Sequence, residues 1–206
     1  MTRHHRRTLL LGAGLTLGLG GCTGLLAARN APPPAIYRLT PKVTLPADLP
    51  RRDWVLIVAE PTAEGALDSS RIAIQTDGRV DRLADVAWAD RPAAMLQSAI
   101  VQAFQASGKL RAAGSDREDL PGRYLLQLAI NAFQLEPEGD GYAADVRFHG
   151  RLLALPGREI AGGQDFAARM PAGARTDAAA VAAFDAALSG LLAELVAWTL
   201  RTGKPR

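Results

Sequence analysis

RYLLQLAINAFQLEPEGDGYAADVRFHGRLLALPGREIAGGQDFAA, residues 123–168, is the stretch that decides the fold. Tyr124, Leu126, Leu128, Ile130 and Ala132 fall on one side of an extended chain, with Gln127 and Asn131 on the other. Glu136-Pro137-Glu138-Gly139-Asp140-Gly141 is then expected to form a turn, because Pro and Gly are concentrated there. Beyond it Tyr142, Ala144, Val146 and Phe148 alternate with Asp145, Arg147, His149 and Arg151. Pro156-Gly157 turns the chain again, and residues 158–168 return. Gly162-Gly163 interrupts this last segment and is read as a bulge. Alternation with period two around tight turns predicts an antiparallel meander, one face on a core and one face wet.

Upstream, WVLIVA at residues 54–59 is an unbroken apolar run rich in β-branched side chains. Such a run predicts a strand buried on both faces, central in a sheet with helices on each side. Residues 71–76 alternate, with Ile72, Ile74 and Thr76 opposite Ala73 and Gln75. Asp77-Gly78 signals a two-residue hairpin, since both turn positions need positive φ, and residues 79–83 form the return strand. Asp90-Arg91-Pro92 opens a helix, with Asp90 as its cap and Pro92 in the first turn. Met95, Leu96, Ala99, Ile100, Ala103 and Phe104 line one side of it, and Ser107-Gly108 ends it before a short strand at 109–113.

Downstream, Thr176 or Asp177 caps a helix over 177–200. Val181, Phe184, Leu188, Leu191, Leu195 and Trp198 form its apolar stripe. The stripe spans too few heptads, without ordered flanking charges, for a coiled coil, so it is expected to pack on the meander. Trp88 and Trp198 lie on these periodic elements and are expected in the core, a partner surface being the alternative. The predicted fold is α/β: one domain, a mixed and largely antiparallel sheet, and packed helices including a long C-terminal amphipathic one.

The beginning of the chain has a different character. Residues 1–7 carry three arginines and no acid, and residues 8–19 are a 12-residue apolar run. That is too short for a bilayer core, which needs about 20 residues, and suits an export signal. It ends in Leu19-Gly20-Gly21-Cys22, which resembles the lipobox of bacterial lipoproteins, with cleavage between Gly21 and Cys22 and a lipid on the Cys22 thiol. Gly20 departs slightly from the usual Ala or Ser. Arg6-Arg7 resembles a twin-arginine signal, or is chance in an arginine-rich chain. Residues 23–36 contain Pro32-Pro33-Pro34 and read as a tether, extended by about 45 Å at ~3.1 Å per residue. A loop packed on the domain is the alternative for its last residues. The organisation expected is therefore signal 1–21, lipidated cysteine and tether 22–36, and one domain 37–206.

The pI near 9.4 hints at nucleic acid, but the signal accounts for it. Residues 1–21 hold 3 of the 24 basic residues and none of the 21 acidic ones, so the rest is balanced and no basic footprint remains. Cys22 is the only cysteine, which excludes an intramolecular disulfide. The only histidine after the signal is His149, on the wet face between Arg147 and Arg151, so no histidine metal cluster can form within the chain. No nucleophile elbow, phosphate loop or zinc-binding HExxH pattern occurs. Asp116, Glu118 and Asp119 beside Arg117 read as a solvated loop. No catalytic or metal-binding residue is predicted, and no cofactor beyond the lipid on Cys22.

Cys22, Tyr37-Arg38-Leu39 after the tether, Leu67-Asp68 and Arg71-Ile72 before the hairpin, Trp88-Ala89-Asp90 and Pro92 at a helix start, and a terminal helix after a meander come in a characteristic order. In this the chain resembles the ABC-type transport auxiliary lipoproteins, the PqiC-like family. The resemblance implies a non-enzymatic envelope protein accompanying an ABC ATPase, a permease and an MCE-domain protein that move lipids or other hydrophobic molecules. It assigns no partner-binding residue and leaves homo-oligomerisation open. Thr23 after Cys22, in place of the Asp that favours inner-membrane retention, points to the outer membrane and its periplasmic face. The alternatives are an assembly or chaperone lipoprotein that binds an outer-membrane β-barrel, and a lipid-anchored hydrolase, for which the sequence shows no signature.

Overall fold

The computed structural model describes residues 33–204, so the expected signal, Cys22 and most of the expected tether lie outside the described residues. In chain order the first elements are β1 (Ala35–Tyr37), β2 (Arg52–Val58), β3 (Thr62–Ala63), β4 (Ala73–Thr76), β5 (Arg79–Arg82) and β6 (Val86–Trp88). Then come α1 (Pro92–Ser107), β7 (Leu110–Ser115), β8 (Tyr124–Glu138), β9 (Gly141–Ala154), β10 (Glu159–Pro171) and α2 (Asp177–Thr202).

The meander forms as its alternation demands. β8 and β9 pair antiparallel from Tyr124↔Ala154 to Glu138↔Gly141, so the turn expected over 136–141 shrinks to Gly139-Asp140 and Pro137 sits within the strand opposite Tyr142, and β10 pairs antiparallel with β9. The register shift in β10 falls at Ala161, just before Gly162-Gly163, where the bulge was expected. A second shift was not foreseen. Asn131 in β8 has no partner between Ile130↔Phe148 and Ala132↔Arg147. One extra residue reverses the alternation beyond it. Ala132, expected on the core face with Ile130, therefore lies on the opposite face with Gln134, and Phe133 and Leu135 join the core.

The main sheet runs β10-β9-β8-β2-β7, with β2 parallel to both neighbours. β3 and β4 continue the edge of β8 beyond β2, and β5 closes the hairpin on β4. At that hairpin Asp77 and Gly78 have φ of 50° and 78°, the left-handed pair the two-residue turn requires. β2 is central, as expected, but not buried on both faces. Trp54, Leu56 and Val58 are buried, while Val55 and Ile57 are half-buried. One cluster joins Trp54, Leu56 and Val58 to the apolar sides of both helices, so the helices share one face of the sheet. The apolar run arises because Ile57 on the other face packs over Gly122, beside the half-buried Leu155 and the strand residues Leu125 and Leu153.

The caps divide. Thr176 Oγ1 accepts the N–H of Ala179, as foreseen for α2. Asp90 does not cap α1: its carboxylate accepts only the Arg91 N–H at 2.7 Å. Asp68, far away in sequence, accepts the Ala93 N–H at 3.3 Å instead. Ala35 and Ile36, read as the end of the tether, belong to β1, which pairs in parallel with β6. The α2 stripe packs on β9 and β10, with Phe184 stacked on Phe133 at 4.9 Å and edge-on to Trp88 at 5.2 Å. Although α2 is long and apolar enough to cross a membrane, its stripe lies in the core of this domain. Trp88 is buried, and Trp198 is half-buried edge-on to Phe166.

Candidate functional site

Behind β1 the chain runs along α2 as a strap before entering β2. The Thr40 N–H and hydroxyl both donate to the Asp185 carboxylate, at 2.7 and 2.9 Å. One helical turn later the Lys42 N–H donates to Ser189 Oγ at 2.9 Å. Leu39, Val43 and Leu45 turn inward against the core. This clamp leaves a cleft of about 790 Å³ between the strap and α1. Its floor is α1 itself, where Ala94, Ser98, Ala99 and Ala103 keep the surface low beside Met95, and Arg38 and Arg117 stand among its lining residues. Strap and helix meet here only through tertiary packing, which no local pattern announces. The one sequence hint was Asp185 and Ser189, polar residues four apart on an apolar helix.

A network of ion pairs lies beside the cleft, at the start of α1. Glu60 accepts from Arg91 at 2.6 Å and also pairs with Arg117. Asp68 pairs with Arg91 as well as capping the helix. Arg91 is held above its ordinary range, first by its hydrogen bond to Glu60 and then by Asp68, so it stays charged. Gln97 donates to Val58 O at 3.0 Å and to Asp116 at 2.9 Å, tying β2 and the 116–119 loop to α1. Glu118 accepts from the backbone and hydroxyl of Ser115. Asp116 and Glu118 thus help to hold the loop, and Asp116, Arg117, Glu118 and Asp119 are all exposed, as expected of a solvated loop.

On the opposite face His149 Nδ1 lies 2.7 Å from Asp165 of the adjacent strand, both open to solvent. No hydroxyl or thiol nucleophile hydrogen-bonds to this pair among the described residues, so it lacks the third member of a nucleophilic triad. Nor do the described residues include three His, Cys, Asp or Glu side chains grouped to hold a metal ion. Cys22 and Gly21, the predicted lipidation and cleavage residues, lie outside the described residues. The model of the ABC-type transport auxiliary lipoprotein component matches residues 37–196, from the end of β1 to within α2.

The chain belongs to that family. Its description makes the members lipoproteins that serve ABC-type transport as auxiliary components. Of the solved structures, a DUF330-family protein from Xanthomonas campestris superposes with a TM-score of 0.77 at 32% identity, over 82% of this chain and 96% of that one. An uncharacterized protein of known structure shares the fold at 14% identity, with a TM-score of 0.62 over 82% and 98% of the two chains. An uncharacterized protein of Bradyrhizobium diazoefficiens is 28% identical over 153 residues, 70% of this chain. The auxiliary-lipoprotein chain spans only 39% of the length of that curated relative.

Proposed function

We propose that this auxiliary lipoprotein is anchored in the outer membrane through a lipid on Cys22, faces the periplasm, and serves an ABC system built from an MCE-domain protein, a permease and an ATPase. In this reading the system moves lipids or other hydrophobic molecules across the envelope, and the lipoprotein is a binding module without catalytic activity. The observation that carries the reading is the coincidence of Leu19-Gly20-Gly21-Cys22 with a domain of this family beginning 15 residues after the cysteine. Two or three acyl chains hold a protein on a bilayer where one does not, at about 0.8 kcal/mol per buried CH₂. An anchored domain meets its partner at high local concentration, so weak contacts suffice.

The test is crosslinking in intact envelopes followed by capture of the tagged full-length protein. Recovery of an MCE-domain protein with its permease and ATPase, in outer-membrane fractions, is the expected result. Cys22→Ser should release the protein from those fractions while it still binds the MCE-domain protein in solution. Recovery of an outer-membrane β-barrel without any MCE-domain protein would overturn the reading.

A further inference from the structure

β10 is the end strand of the main sheet, and its 13 residues are mostly exposed. The Ala172 N–H donates to Tyr142 O at 2.7 Å, immediately after the pair Pro171↔Ala143. Antiparallel ladders alternate, so Met170, Ala168, Phe166 and Gln164 bond to β9, while Gly163, Asp165, Ala167, Arg169 and Pro171 direct their backbone groups outward. Pro171, which has no N–H to donate, occupies one of the outward positions, where β9 needs none. These outward groups have no hydrogen-bond partner among the described residues.

Edge strands ordinarily carry charges that repel a second strand. Here the charges are arranged symmetrically. Asp165 and Arg169 share the wet face and flank Ala167 at equal distance. We infer that β10 pairs antiparallel with β10 of a second copy of this chain, across a two-fold axis through Ala167. That axis places Asp165 opposite Arg169 of the second copy, and Arg169 opposite its Asp165. The outward groups then meet as hydrogen-bonded pairs, Ala167 with its own counterpart and Asp165 with Arg169, and Gly163 donates to the carbonyl of Pro171. Residues 163–171 provide an edge of about 30 Å at ~3.4 Å per residue. On the other face Phe166 meets the small Ala168, and Met170, 38% exposed, gains cover beside Gln164. The guanidinium of Arg169, held charged chiefly by Glu138, keeps donors free for the new carboxylate, since five N–H groups serve it. An isologous interface of this kind closes as a dimer and leaves no open edge at β10. The inference rests on the strand alone and does not depend on the proposed transport role.

The test is sedimentation of the full-length protein in detergent micelles over a concentration series. Wild type should show a monomer–dimer equilibrium. Asp165→Arg and Arg169→Asp each set like charges face to face and should weaken it about tenfold or more. An equal mixture of these two variants restores opposite charges across the axis and should form a mixed dimer that neither forms alone, a rescue that mere misfolding cannot mimic. Ala167→Pro removes an N–H that β9 does not use, and should abolish the dimer while the far-UV spectrum is retained. A wild type that sediments as a monomer throughout, or association unchanged by Ala167→Pro, or a mixture that fails to rescue, would each overturn the inference.

Discussion

Phe184→Ala removes the ring through which α2 grips the sheet. Phe184 is fully buried, stacked on Phe133 at 4.9 Å and edge-on to Trp88 at 5.2 Å. Trp88 and Phe133 also touch each other edge-on at 6.0 Å, so the three rings form a closed set from α2, β6 and β8. Truncating a core Phe costs about 3–5 kcal/mol, because the cavity collapses only partly. Each aromatic pair contributes about 0.5–1.5 kcal/mol beyond buried area, which puts this site in the upper part of that range, at about 4–5 kcal/mol. A domain of this size loses about 2–4 °C of melting temperature per kcal/mol, so the expected fall is about 8–20 °C. Urea unfolding followed by tryptophan fluorescence reads the free energy, and near-UV circular dichroism reads the packing of Trp88. Ile160→Ala, at a side chain 67% exposed on the edge strand, is the control and should stay within about 0.5 kcal/mol of wild type. A loss below about 1.5 kcal/mol for Phe184→Ala, with the near-UV spectrum intact, would refute the claim that this cluster couples helix to sheet.

Gly203→Ala should destabilise by about 1–3 kcal/mol in the same unfolding assay, because overpacked cores must shift. The new Cβ would stand 2.5 Å from Cζ2 of Trp54, a ring already braced edge-on by Tyr124 at 4.8 Å. Asp68→Ala should cost about 1 kcal/mol, measured as a shift of the urea midpoint, since it removes the acceptor for the Ala93 N–H. Asp68→Asn keeps that acceptor and should recover part of the loss, whereas Asp90→Ala should change little, because its carboxylate reaches no further into α1 than Arg91.

Features that depend on neighbours along the chain were legible without any structure. Alternation in 123–168 specifies strands and their two faces, because successive side chains of an extended chain must point oppositely. Asp77-Gly78 specifies its turn, because the backbone there must take positive φ. The Phe184 and Leu188 stripe specifies which side of α2 is buried. Even the order of these local features was enough to point to the family. The remaining features required the folded chain. The bulge at Asn131 comes from pairing with β9, and one unpaired residue put the buried Ala132 on the opposite face of the sheet and Phe133 in the core, against the local pattern. Both helices lie on one face of β2 because α1 and α2 meet there in a single core, which an apolar run such as WVLIVA cannot express. The cap of α1 went to Asp68 and not Asp90, since an N–H takes the acceptor nearest in space and not in sequence. The cleft lies between α1 and a strap that Asp185 and Ser189 hold on α2, through hydrogen bonds between residues 145 to 147 apart. Interactions of that range depend on where the folded chain returns to itself, and that is settled by the whole core at once.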